Sequence, residues 1–440
     1  MAKTRSVKWT IQKAPQTVTL SPSSISVVVG ETTTITASWL GDGTLSAVSS
    51  NTAIATVSVS GAVITVTGVS LGNVTITASV SAGANYLSGS ETASAEVIEG
   101  TLVYFGTADN LTDVAVSLAA ASTGDYAVFA GGHRALGSGT SAQIKAYGND
   151  LTSTTLSGLT YAVQELGAAS VGDYALFAGG NDVTSQTTSS DRAAVTSVSN
   201  TLTKASQTNL PTVVREICGA TVGNYALFAG GMINNTTTET TTVTSYDNTL
   251  TRGSAPAMDF ANSGLSGVSV GNYALFACGA TRRASVAAYD NNLTKTTAPD
   301  ISQARNYAAS ASNGRYAIFA GGAISQNSTL TEVSTVDVFD ENLVQTNNIS
   351  LSTARYELAG TRLERFAVFS GGRTGASATY YTVTDAFDTD LVRTNPDGLS
   401  QARSSLAAAS NQKFALFGGG WSGTSSYFAT VDAYKIGSTT

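Results

Sequence analysis

DYAVFAGG (125–132) decides the fold, because six further copies follow it: DYALFAGG (173–180), NYALFAGG (224–231), NYALFACG (272–279), RYAIFAGG (315–322), RFAVFSGG (365–372) and KFALFGGG (413–420). Their phenylalanines, Phe129, Phe177, Phe228, Phe276, Phe319, Phe369 and Phe417, are spaced by 48, 51, 48, 43, 50 and 48 residues. A period near 50 accommodates four short strands per repeat. The closing glycine pair suits a positive φ or a close backbone approach at the strand end.

A second marker runs between the copies. YDNTLT (246–251), YDNNLT (289–294), FDENLV (339–344) and FDTDLV (387–392) carry the Asn and Asp of tight turns, so Asp247, Asp290, Asp340 and Asp388 read as turn residues. Leu151, Leu202, Leu250, Leu293, Leu343 and Leu391 each stand 23 residues before the next aromatic of the DYAVF type. The reverse interval, aromatic to following leucine, runs 25, 28, 25, 20, 27 and 25. Length variation is therefore confined to the loop after the glycine pair. The expected order is an Ala-rich inner strand, as in YAASAS (307–312), then the YAxF strand, the variable loop, a third strand and a fourth. The last repeat stops after its third strand, ATVDAYK (429–435). Val103 in TLVYFGTA (101–108) lies 23 residues before Tyr126, so this N-terminal strand is expected to complete the last blade and remove two open edges.

These repeats resemble Kelch repeats, which implies a seven-bladed β-propeller over 101–440. Residues 17–98 alternate with period two through TVTLSPSSISVVVG, TTTITASWL, AIATVSVSG, AVITVTGV and NVTITASVSAG, the pattern of a β-sandwich. Within them, VSSNTAIATVSVSGAVITVTGVSLGNVTITASV (48–80) resembles the bacterial immunoglobulin-like domains of group 2. That resemblance implies a spacer or stalk of the kind found in adhesins and phage tail or capsid proteins. Residues 1–16, with VKWTIQKA (7–14), are expected to form either an assembly segment that pairs with another virion protein or simply the first strand of the sandwich. The fold class expected is all-β throughout.

Composition narrows function. The chain of 440 residues is 42% hydrophobic and 12% charged, with a net charge of −7. No basic stripe interleaved with aromatics is present, so nucleic acid is not an expected partner. No apolar stretch approaches a membrane span, and no secretory leader is recognisable. Cys218 and Cys278 read as small buried residues. The single histidine, His133, leaves no copper site of the galactose-oxidase type and one candidate at most for a Ser-His-Asp triad. Paired carboxylates for glycoside hydrolysis stay open, as Asp and Glu are scattered through every repeat. No cofactor is expected.

The Kelch resemblance implies a ligand face lined by the connection into each inner strand, where Arg215, Arg305, Arg355 and Arg403 recur. They are read either as ligand contacts or as donors to neighbouring loop carbonyls. RTGASATYYT (373–382) and WSGTSSYFAT (421–430) place Tyr380, Tyr381, Trp421, Tyr427 and Phe428 on adjacent repeats. Aromatic faces beside hydroxyls and amides suit stacking on sugars; packing between blades is the other reading. The expected function is a non-enzymatic binding protein of a bacteriophage virion, on tail or capsid, holding host-envelope glycan or protein. A purely structural virion decoration is the alternative, and a glycan-degrading enzyme the third reading.

Overall fold

The computed structural model describes residues 12–134, 139–185, 188–281, 283–326, 329–375, 379–423 and 426–437, and these divide into two compact units, 1–101 with 436–440, and 102–435. Among the described residues every regular element is a β-strand. Most of the expected assembly segment, residues 1–11, lies outside the described residues.

In the first unit β1 (Val18–Ser21), β3 (Thr32–Trp39), β6 (Val63–Gly68) and β5 (Ala55–Ser60) form one sheet, in the order β1-β3-β6-β5. The second sheet runs β2-β8-β7-β4, from β2 (Ser24–Val28), β8 (Gly89–Ile98), β7 (Gly72–Val80) and β4 (Leu45–Ser49). Alternation explains the packing: Ile35 and Ala37, Ile64 and Val66, Val74, Ile76 and Ala78, and Ala93, Ala95 and Val97 all enter one core. The long run TVTLSPSSISVVVG divides near Pro22, and its halves β1 and β2 enter different sheets. Proline cannot donate to a ladder, so a strand switches there.

In the second unit, seven four-stranded antiparallel sheets follow one another, and Thr101–Ala108 is the last strand of the seventh, beside Val431–Gly437. The innermost strands, beginning at Ala119, Gly167, Cys218, Ser266, Ala309, Ala359 and Ala407, touch in sequence, and the seventh touches the first. Apolar clusters fill the spaces between neighbouring sheets: Ala127, Phe129 and Tyr147 of the first meet Leu416, Val431 and Ala433 of the seventh. Within six of the sheets, the second-strand phenylalanine meets a third-strand aromatic edge-on, as in Phe129–Tyr147 (5.8 Å) and Phe319–Phe339 (6.0 Å).

Six glycine pairs tie their sheet to the next. Gly131 has φ +70, and a Cβ there would stand 2.6 Å from Val163 O of the connection into the second sheet. The N–H of Gly132 then donates to that same carbonyl at 2.7 Å. Equivalent bonds run from Gly180 to Val214 O (2.8 Å), Gly231 to Asn262 O (2.9 Å), Gly322 to Arg355 O (3.0 Å) and Gly372 to Arg403 O (2.9 Å). Gly420 closes the cycle on Ala115 O at 2.7 Å. At the hairpins, Asp247, Asp290, Asp340 and Asp388 accept the amides two and four residues on, at 2.8–2.9 Å. The turn leucines pay for this geometry with positive φ, for example Leu250 at 65° and Leu391 at 61°.

Candidate functional site

Nine residues before each DYAVF-type aromatic, the chain turns with positive φ: Ser117 (52°), Glu165 (56°), Glu216 (51°), Gly264 (57°), Tyr307 (53°), Glu357 (57°) and Ser405 (54°). At six of the seven, that turn points the amide at the preceding repeat. Glu165 N–H donates to Ser117 O (3.0 Å), Glu216 to Glu165 (2.9 Å) and Gly264 to Glu216 (2.9 Å). Glu357 donates to Tyr307 (3.0 Å), Ser405 to Glu357 (2.9 Å) and Ser117 to Ser405 (3.2 Å). All seven residues line one cavity of about 470 Å³. Backbone bonds fix its rim, so the side chains it presents are held without cost in loop order.

The rim is chemically uneven. Glu357 is saturated: Arg373 binds it with Nε and Nη2 at 2.8 Å each, and the Ser404 and Ser405 hydroxyls donate at 3.0 Å. Arg373 in turn lies over Tyr356 (4.8 Å) and Trp421 (5.7 Å). Trp421 meets Tyr380 at 5.8 Å and Tyr427 at 6.3 Å, while Tyr356 meets Tyr307 at 5.9 Å. An aromatic shelf therefore leads from the sixth and seventh repeats to the rim, where Tyr307 is 50% exposed.

On the other side, Glu165 sits 3.9 Å from Arg215 Nε, and Arg215 spends its closer bond on buried Asp191 at 3.1 Å. Glu216 accepts from the Ser263 hydroxyl at 2.9 Å, and Glu239 lies 3.1 Å from that same hydroxyl. Burial above all, then the charge of Glu216, pushes the Glu165 carboxyl up to about 7 against the opposing pull of Arg215. Asn306 also lines the cavity. It is 5% exposed, and its Oδ1 has no partner among the described residues.

The expected site residues separate. Arg305, Arg355 and Arg403 are a correction: none presents a guanidinium to a ligand. Each is wholly buried against Asp337 (2.6 Å), Asp385 (2.8 Å) or Asp432 (2.6 Å). Arg355 also donates to Gly371 O, Thr353 O and Phe369 O at 2.8, 3.1 and 3.3 Å, and the other two make similar carbonyl bonds. A buried guanidinium is stable only when its charge and donors are met in this way. Arg215 stands one residue later in the repeat, in the register of Asn306, Tyr356 and Ser404, which is why it alone stays partly exposed and near the rim. Tyr380, Trp421 and Tyr427 come together, whereas Tyr381 and Phe428 are half-buried and bonded by their amides to Gly372 O and Gly420 O. Residues 376–378 and 424–425 of the two aromatic loops lie outside the described residues.

Sequence reasoning passed over Glu165, Glu216, Asn306, Tyr307 and Glu357. Their signal was present in the constant nine-residue interval. A second signal is the residue after each glycine pair: His133, Asn181, Met232, Ala280, Ala323, Arg373 and Trp421. These lie in backbone pairing with the residues that precede the rim turn, as in Val116–His133, Arg215–Met232, Tyr356–Arg373 and Ser404–Trp421. Burial keeps the His133 imidazole below its usual range, hence neutral at pH 7. Among the described residues, no group of three His, Cys, Asp or Glu side chains could hold a metal ion.

The fold and site define an all-β protein that presents one polar, aromatic-flanked cavity. Residues 14–89 match the bacterial Ig-like domain (group 2), so the N-terminal unit carries a domain of that family. No curated protein sequence matches. Among solved structures, YjhT is similar in fold, with a TM-score of 0.51 at 14% identity, over 66% of this chain and 99% of its own. That extent is far more than the N-terminal unit contains, so the likeness reaches into the repeats.

Proposed function

We propose that the seven sheets form a Kelch-like, seven-bladed β-propeller sealed by Thr101–Ala108, and that the chain is a non-enzymatic glycan-binding protein. The observation that carries the binding reading is the contrast within one ladder. The glycine pair recurs almost unchanged, while the residue after it is His, Asn, Met, Ala, Ala, Arg and Trp in turn. A scaffold needs the first and gains nothing from the second; a ligand face needs both. The shelf of Tyr380, Trp421 and Tyr427, beside Arg373 and the partly exposed Ser405, offers flat faces and polar groups together. The group 2 Ig-like domain supports placing this binder on a surface structure, and a phage virion, tail or capsid, is the setting we favour.

A glycan array probed with the full chain tests the reading. Binding to a defined glycan class, reduced at least about tenfold by Trp421→Ala, is expected. Background signal across bacterial envelope glycans overturns it in favour of a structural decoration. Mass spectrometry of purified virions tests the setting separately. One observation favours chemistry on the sugar as a second reading: Glu165, held near neutrality beside Glu216, resembles a carboxyl poised to donate a proton. Release of product from a bound glycan, lost in Glu165→Gln, would establish it.

A further inference from the structure

We propose that the cavity selects sugars bearing a free ammonium group, an inference that rests on the glycan-binding reading above. Three observations converge. First, the charge on one arc of the rim is unbalanced. Arg215 lies 3.1 Å from buried Asp191, which offsets its charge, and only loosely against the rim carboxyl of Glu165 at 3.9 Å. Glu216 and Glu239 share one serine hydroxyl and have no cationic partner among the described residues.

Second, the opposite arc is already neutral. Arg373 cancels Glu357, and Ser404 and Ser405 complete that carboxylate, so the rim carboxyl left without a close cation is chiefly Glu216. Third, Asn306 lines the same cavity, and its buried Oδ1, an acceptor, has no partner among the described residues. A buried acceptor left unmet costs free energy that a donor-bearing ligand recovers. An ammonium supplies donors and positive charge together, and no acceptor. Tyr307, half exposed on the rim, supplies a flat face for the pyranose ring. A sugar carboxylate would meet the same field with the wrong sign.

The test uses the intact chain and four oligosaccharides of equal length: glucosamine, N-acetylglucosamine, glucose and galacturonate oligomers, measured by calorimetry at about pH 7 and low salt. The glucosamine oligomer is expected to bind about tenfold or more tightly than its N-acetylated form, with galacturonate weakest. Glu165→Gln with Glu216→Gln is expected to bring the first two within about twofold of each other. Equal affinities in the native chain, or a preference for galacturonate, overturn the amine assignment and leave glycan binding intact. Absence of binding to every sugar removes the underlying reading instead. A lysine-rich peptide that outcompetes the glucosamine oligomer transfers the cavity to a protein ligand and overturns the sugar assignment.

Discussion

Arg355 and Arg215 stand one residue apart in the repeat and meet different environments. Arg355 is enclosed by three carbonyls and Asp385, and its third-strand partner shows in sequence as the Asp of VDVF, TDAF and VDAY at 336–339, 384–387 and 431–434. The other repeats carry Ala115, Val163, Val214 or Asn262 in place of the arginine and Lys145, Thr196, Thr244 or Ala287 in place of the aspartate. Removing one partner strands a buried charge, so Asp385→Asn should cost about 3–5 kcal/mol in denaturant unfolding. The double change Arg355→Val with Asp385→Thr, which copies the third repeat, should cost much less. Glu165 behaves in the opposite way. Its folded value of about 7 lies above the unfolded carboxylate range, so its stabilising contribution is complete below about pH 4.5 and is lost as pH rises through 7. Glu165→Gln should therefore raise stability by about 1–2 kcal/mol at pH 8, a value reduced for partial solvent access, and change it little at pH 4.5. The thiols of Cys218 and Cys278 are pushed up to about 12 and about 11 by burial. Neither should react with a thiol reagent at pH 8 until the chain unfolds. Burial was readable from composition for Cys278, whereas Cys218 is only half-buried; the burial of the arginines was not readable, because an arginine beside a turn looks the same in sequence whether it faces solvent or an aspartate 30 residues on.

Strands were the most legible level. The DYAVF segments, the Ala-rich inner strands and the turn leucines all fall where spacing puts them, since period-two alternation and Asx turns are local. Close approach between inner strands is not local and left only small residues as its trace. A Cβ on Gly219 would stand 2.1 Å from Ala168 O of the neighbouring sheet. Gly219→Ala should cost about 1–3 kcal/mol by overpacking, read by denaturant unfolding. Gly253 of a fourth strand, exposed and facing only the Ser245 hydroxyl, is the control and should tolerate alanine. The rim turn was harder to see. Its positive φ falls on Ser, Glu, Gly or Tyr, and only the fixed distance to the next aromatic marks it.

Across the whole repeat unit, stability depends on a strand more than 320 residues from its partner in sequence. Tyr104 donates to Asp432 at 2.8 Å, alongside the Arg403 pair, and so ties Thr101–Ala108 to the seventh sheet. Burial first, then Asp432, raises its hydroxyl to about 12. The raised value means that this contribution is intact below about pH 10 and lost as pH climbs towards 12. Tyr104→Phe should cost about 1 kcal/mol near neutrality and flatten that alkaline loss. The same cyclic order that the strand completes is what gathers seven distant turns into one cavity, which no single repeat could display.

Hydrogen–deuterium exchange on the intact chain, with and without the tightest glycan from the array, tests that cavity most directly. Protection is expected in the peptides that carry Ser117, Glu165, Glu216, Tyr307, Glu357 and Ser405, together with Trp421. Protection confined to the Asp247, Asp290, Asp340 and Asp388 hairpins, with the rim peptides unchanged, would contradict the account.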